Sequence, residues 1–230
     1  MKKIEFINVK KSFGKLEVLN NVSFSVEKSS IHGLIGNNGA GKTTIFSILS
    51  NYITDFQGKV LIYNKDIKDF TDYKKKSVFM FADPSFPENR KVKEYFDECA
   101  YLRGVSREVS DKIFNNSSLI DKKDELCSKL STGWKKILQF LTFDLIKNLE
   151  FAFLDEPFEG LDIYNKDYFV KKVISMKANG VTIFISSHNL PDLQLLSDKV
   201  TFIDKGKILY SGEKTLNIRD IYDNLIRQEN

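Results

Sequence analysis

Ile31-His32-Gly33-Leu34-Ile35-Gly36-Asn37-Asn38-Gly39-Ala40-Gly41-Lys42-Thr43-Thr44 is the stretch that decides the fold. Its first five residues are mostly apolar and short, the pattern of a strand buried on both faces. We read His32, inside that run, as a structural residue. Ile45, Phe46, Ile48 and Leu49 then recur at helical spacing, so a glycine-rich turn sits where a strand ends and a helix begins. Gly36-x-x-x-x-Gly41-Lys42-Thr43 fits the P-loop pattern in full. Glycines there let the backbone wrap around an anion and aim its N–H groups inward, and the helix adds its positive dipole end. The candidate phosphate-binding residues are therefore Gly36, Asn37, Asn38, Gly39, Ala40, Gly41, Lys42, Thr43 and Thr44. Lys42 can neutralise phosphate charge during catalysis, and the Thr43 hydroxyl can ligate Mg²⁺.

Working outward, Ile4, Phe6 and Val9 open a strand-like segment, and Val22-Ser23-Phe24-Ser25-Val26 alternates as a half-buried strand does. Gly58 starts a short strand through Val60, Leu61 and Ile62. The middle changes period: Val92, Tyr95, Phe96, Cys99 and Leu102 mark one helix face. Trp134, Ile137, Leu138, Leu141, Leu145 and Leu149 predict a second, longer helix. Buried strands return at Phe151–Leu154, Val181–Ser186 and Val200–Ile203, and Ile218, Ile221, Tyr222 and Leu225 suggest a docked tail helix. Strand–helix alternation argues for an α/β fold with a mostly parallel sheet. The expected division is a nucleotide-binding core with a β-subdomain at 1–83 and 150–212, a helical insertion at 84–149, and a C-terminal helix at 213–230.

Phe151–Leu154 ends in the acids Asp155 and Glu156. In a P-loop protein Asp155 is placed to hold Mg²⁺, and Glu156 to orient and deprotonate an attacking water. His188 ends a further strand that runs from Val181, and a histidine there can reach a γ-phosphate, because ligands of open α/β sheets bind beyond the carboxyl ends of the strands. Leu130-Ser131-Thr132-Gly133-Trp134 precedes a helix that Ser131 can cap, leaving N–H groups that attract an anion.

The order P-loop, helical insertion, Ser-x-Gly, Asp-Glu strand and Ser-His resembles an ABC-type ATPase over the whole chain, specifically the ATP-binding subunit of a bacterial ABC transporter. Gly36–Thr44 is similar to its Walker A motif and Phe151–Glu156 to its Walker B motif with catalytic glutamate. Leu130–Trp134 looks like the signature motif, with Thr132 and Trp134 as departures, so Ser131 and Gly133 are implied to bind ATP from the opposing domain. Gly160-Leu161-Asp162 resembles the D-loop, which adds Asp162, and His188 the switch histidine. Phe13 falls where the family stacks an aromatic ring on adenine. The family's glutamine after the β-subdomain is missing: Ala82 aligns with it, and Asp83 is the nearest polar substitute, a candidate metal ligand. Ser29-Ser30 stands where the family has a glycine-containing turn. The resemblance implies an ABC ATPase fold with an antiparallel N-terminal β-subdomain. It also implies a head-to-tail homodimer that hydrolyses ATP, with Mg²⁺ as cofactor and a separate membrane permease as partner. By analogy with the family, a single compact domain of this size without a C-terminal regulatory extension looks more like an exporter subunit than a sugar importer subunit. The alternative is an ABC-type ATPase outside transport, acting on nucleic acid or ribosomes or as a membrane scaffold.

Composition bounds these readings. The chain has 230 residues, is 42% hydrophobic and 29% charged, and carries a net charge of +4. Its lysines are scattered rather than clustered, which argues against a nucleic-acid partner. No apolar run reaches the roughly 18–20 residues that span a bilayer, and the start lacks a signal-peptide stretch. The expected location is the cytoplasm, at the inner face of the membrane through a partner. Cys99 and Cys127 fit no metal or redox spacing and are read as reduced thiols.

Overall fold

The computed structural model describes residues 2–214 and 217–229. Two sheets form, and the hydrophobic patterning explains why they differ. The first is antiparallel, with strand order β2-β1-β4-β5. It comprises β1 (Lys2–Phe13), β2 (Leu16–Glu27), β4 (Gln57–Ile62) and β5 (Lys65–Asp66). In β1, Ile4 and Phe6 face inward with Val9, which breaks the two-residue period. A bulge supplies the missing step: Phe6 pairs with Phe24 but Val9 with Val22, and Asn8 adopts φ 49°.

The second sheet has the order β10-β9-β3-β8-β7-β6. Its strands are β3 (Ile31–Ile35), β6 (Ser77–Met80), β7 (Phe151–Leu154), β8 (Thr182–Ser187), β9 (Lys199–Asp204) and β10 (Lys207–Glu213). All pairs are parallel except β9–β10. Every residue of β3, β7 and β8 is buried, as expected of parallel strands covered on both faces. The carboxyl ends of β3, β8 and β7 lie side by side, so whatever follows each strand meets at one edge of the sheet.

Helix α1 (Lys42–Leu49) buries Ile45, Phe46, Ile48 and Leu49 between the two sheets. Phe46 stacks on Phe184 of β8 with ring centroids 5.0 Å apart. The other face carries α2 (Val92–Leu102), α3 (Arg107–Asn115), α4 (Thr132–Leu141), α5 (Ile163–Ala178), α6 (Leu190–Leu196) and α7 (Ile218–Glu229). Phe140 of α4 and Phe169 of α5 stack 3.9 Å apart at the centre of that second core.

Three expectations need correction. The second helix is not the longer one: α4 spans 10 residues and α2 spans 11. Leu145 lies in a 3₁₀ turn over Thr142–Leu145, and Leu149 lies beyond it. The Thr142 hydroxyl donates back to the Gln139 carbonyl at 2.6 Å, which tightens the chain, and β7 begins too soon for the helix to continue. Leu102 does not share the buried stripe of α2 and is 82% exposed beside Tyr101 at 83%. The stripe runs through Val92, Phe96 and Ala100, so its next position is Arg103. Residues 213 and 214 do not open the tail helix, because Glu213 ends β10 and α7 starts at Ile218. Residues 1, 215, 216 and 230, which the expected division includes, lie outside the described residues.

Candidate active site

The candidate phosphate loop, the Asp155–Glu156 pair and His188 each follow the end of a strand, β3, β7 and β8 in turn. Gly36 follows β3, and the loop closes with Ala40 N–H donating to the Asn37 carbonyl at 3.1 Å. Gly41 caps α1 with φ 107°, a conformation that a side chain would resist. Turn residue Gly206, after β9, donates to the Ala40 carbonyl at 3.1 Å and anchors the loop from below. Asn37, Asn38, Gly39 and Thr43 are exposed, Thr44 is half-buried, and Lys42 is 6% exposed. Lys42 folds back: its ammonium donates to the Gly36 carbonyl at 2.7 Å and the Asn37 carbonyl at 3.3 Å.

Asp155, fully buried beyond β7, gathers the neighbouring strand ends. Its Oδ2 accepts from the Thr43 hydroxyl at 2.7 Å and its Oδ1 from the Ser186 hydroxyl at 2.5 Å. Burial pushes the Asp155 carboxyl up, against the pull of those two hydroxyls. Thr43 and Asp155 thus bring two hard oxygen donors together beside the phosphate loop, a set that fits Mg²⁺.

Glu156 is 7% exposed and adopts φ 47°, a left-handed conformation costing on the order of 1–2 kcal/mol for a residue with a Cβ. Its Oε1 lies 3.2 Å from the Lys42 ammonium without hydrogen-bond alignment. Its Oε2 meets the His188 ring Nδ1 at 3.0 Å and accepts from the His188 backbone N–H at 3.4 Å. Chain-distant Lys42, Glu156 and His188 therefore form one contiguous array, and the His188 side chain is 48% exposed. The Glu156 peptide is held at both sides: its N–H donates to the Ser186 hydroxyl at 2.9 Å, and its carbonyl accepts from the Lys136 ammonium at 2.7 Å.

Sequence reasoning missed Ser186 and Lys136. Their signals were a hydroxyl closing an apolar strand beside two acids, and a lysine on the α4 stripe between Gly133 and Phe140. Lys136 is 0% exposed. Desolvation pulls its ammonium below the usual lysine range, and the nearby carboxylates, Asp83 among them, oppose that shift.

The structure does not bring the remaining sequence-derived residues into this array. Ser131 caps α4, accepting from the Trp134 N–H at 3.4 Å, and among the described residues no hydrogen bond joins it to residues 36–44. Gly133 packs against the loop after β7: a Cβ there would sit 2.9 Å from the Gly160 carbonyl. Asp162 caps α5 and accepts from the Asn165 N–H at 2.9 Å, which lowers its carboxyl pKa. Phe13 ends β1 half-exposed, with the Lys11 ammonium 4.7 Å from its ring centre. Asp83 is exposed, three residues beyond β6. His32 is buried as a structural residue should be, with Nε2 2.8 Å from the Thr201 hydroxyl. Cys99 and Cys127 are free thiols.

Comparison with known proteins shows the family. The family described as ABC transporter matches residues 19–159, more than half of the chain. The chain belongs to the ABC transporter ATP-binding family. The lantibiotic transport ATP-binding protein SrtF of Streptococcus pyogenes is 32% identical over 225 residues, covering 95% of this chain and 95% of its own. The bacitracin transport ATP-binding protein BcrA of Enterococcus faecalis is 31% identical over 225 residues, covering 95% of this chain and 70% of its own. A solved structure described as the ATP binding subunit of an ABC transporter superposes with a TM-score of 0.85, over 97% of this chain and 99% of that one. At 20% identity, that likeness speaks for the fold alone. The ABC ATPase family binds and hydrolyses ATP, and this chain is an ATP-binding subunit of a transporter. Among the described residues no helix is long and apolar enough to cross a membrane.

Proposed function

We propose that this ABC ATPase powers export through a separate membrane permease, acting as a head-to-tail homodimer at the inner face of the membrane. The observation that carries the proposal is the array at the ends of β3, β7 and β8, in which Lys42, Glu156 and His188 converge beside the Thr43–Asp155 pair. ATP lies with its phosphates in the loop of residues 36–44, and Lys42 leaves Glu156 for them. Phe13 stacks on the adenine, and Ser131 and Gly133 of the second copy approach the γ-phosphate, with Asp162 near the shared boundary. A water attacks the γ-phosphorus while Glu156 takes its proton. The bond to the β–γ bridging oxygen breaks, its electron pair leaving with ADP, and His188 holds the Glu156 carboxylate toward the phosphate. Thr43 and Asp155, with Asp83 in place of the missing glutamine, would hold Mg²⁺, which would supply charge neutralisation to the phosphates.

Two further observations support the partners. Exposed Tyr101 and Leu102 give the helical region an apolar patch that a permease can cover. A similar protein of Burkholderia orbicola, 30% identical over 214 residues, is named a Nod factor export ATP-binding protein, which supports export as the direction. The test is Glu156→Gln. The variant should bind MgATP, accumulate as ATP-bound dimer and stall hydrolysis. Tagged protein extracted from membranes in detergent should carry a polytopic partner with it. A Glu156→Gln protein that turns over ATP at the wild-type rate removes the assigned base.

A further inference from the structure

We propose that Lys136 and Ser186 are positioning residues that clamp the Glu156 peptide in its left-handed conformation, and that Lys136 thereby ties the signature helix to the hydrolytic loop. This rests on the reading of Glu156 as the base that takes the proton of the attacking water.

A non-glycine residue at φ 47° persists only where its surroundings over-determine it. Glu156 meets that condition through two fully buried side chains on opposite sides of the residue. Ser186, at the end of β8, accepts from its N–H at 2.9 Å while donating to Asp155 Oδ1. Lys136, from α4, donates to its carbonyl at 2.7 Å and to the Glu159 carbonyl at 2.8 Å. The Glu159 N–H also reaches the Glu156 carbonyl at 3.3 Å, so one ammonium braces both ends of a tight turn. A bare lysine ammonium in the core is costly, and two carbonyl acceptors with carboxylates beyond them offset part of that cost. Apolar residues would fill the same space at less electrostatic expense, so the choice of lysine needs a reason, and the strained peptide supplies one.

The clamp also has a geometric consequence. Lys136 sits five residues after Ser131 on the same helix, and Gly133, between them, is packed on the Gly160 carbonyl. The helix start assigned to one nucleotide and the carboxylate assigned to the other thus move as one body. Binding at the first site is transmitted to the geometry of the second through the buried ammonium, with the Gly133–Gly160 contact beside it.

The experiment compares Lys136→Met, which keeps the volume, and Ser186→Ala in the full chain, each alone and combined with Glu156→Gln. Single-turnover hydrolysis of MgATP and equilibrium binding of MgATP are read for each. Loss of one charge-assisted or buried bond is expected to lower kcat about tenfold, with the dissociation constant changed less than about twofold. In the Glu156→Gln background each substitution should add less than about twofold more loss, because residues acting through one group are not additive. A side chain that merely stabilises the fold would multiply its loss onto the Glu156→Gln background or weaken binding and turnover together. Either pattern overturns the clamp, as does wild-type kcat in both variants. Should Lys136→Met fail to fold, Ser186→Ala and its double variant decide the question alone. Normal hydrolysis by Glu156→Gln itself instead overturns the base assignment, and the clamp falls with it.

Discussion

His32 offers a measurement of how dry the centre of the sheet is. It lies in β3 between β8 and β9, 1% exposed, with the Phe24 and Phe184 rings 5.9 and 5.8 Å away. Its Nε2 shares the Thr201 hydroxyl with Ser211, and its Nδ1 has no partner. Burial, and next the Lys199 ammonium, push the ring down from 6.5 to about 3, with Glu27 pulling weakly the other way. The unfolded chain therefore takes up a proton that the folded chain refuses. The stability associated with His32 is complete above about pH 6.5 and is lost as pH falls towards about 3, at about 1.4 kcal/mol per pH unit. From pH 7 to pH 5 the loss comes to about 2 kcal/mol. Urea unfolding of wild type and His32→Leu across pH 5–8 isolates this contribution, since the carboxylates titrate equally in both proteins. The stability difference between the two should shift by about 2 kcal/mol over that range in favour of the variant. A pH-independent difference would mean that the imidazole takes up its proton as readily in the fold as in the unfolded chain, and the reasoning would fail.

Lys42→Ala removes the ammonium now shared by the Gly36 carbonyl and Glu156, and calorimetry should find MgATP affinity reduced about hundredfold or more. Gly133→Ala pushes a methyl to 2.9 Å from the Gly160 carbonyl. The strain, about 1–3 kcal/mol, should appear as a lower melting temperature together with reduced ATPase activity. Asp83→Ala should raise the Mg²⁺ concentration for half-maximal hydrolysis about tenfold. Unchanged Mg²⁺ dependence and turnover would end the idea that Asp83 replaces the glutamine.

Features that depend on local pattern were legible in the order of residues alone. The loop of residues 36–44 announces itself because glycine spacing, one lysine and one threonine are what backbone wrapping of a phosphate requires. The apolar strand before Asp155 and the Ser131 cap are equally local, set by burial on both faces and by a side chain reaching its own helix N–H. Helix lengths were less legible: α4 stops at Leu141 because Thr142 bonds backward and β7 must begin nearby, a tertiary demand on a stretch whose leucines would otherwise continue. That Lys42, Glu156 and His188 form one array follows from folding, because parallel pairing of β3, β8 and β7 brings together residues up to 146 positions apart. Folding also sets the contacts of Ser186 and Lys136 with the Glu156 backbone. A serine closing a strand and a lysine on a helix carry no address in the chain; their meaning lies in the strained peptide that folding places between them.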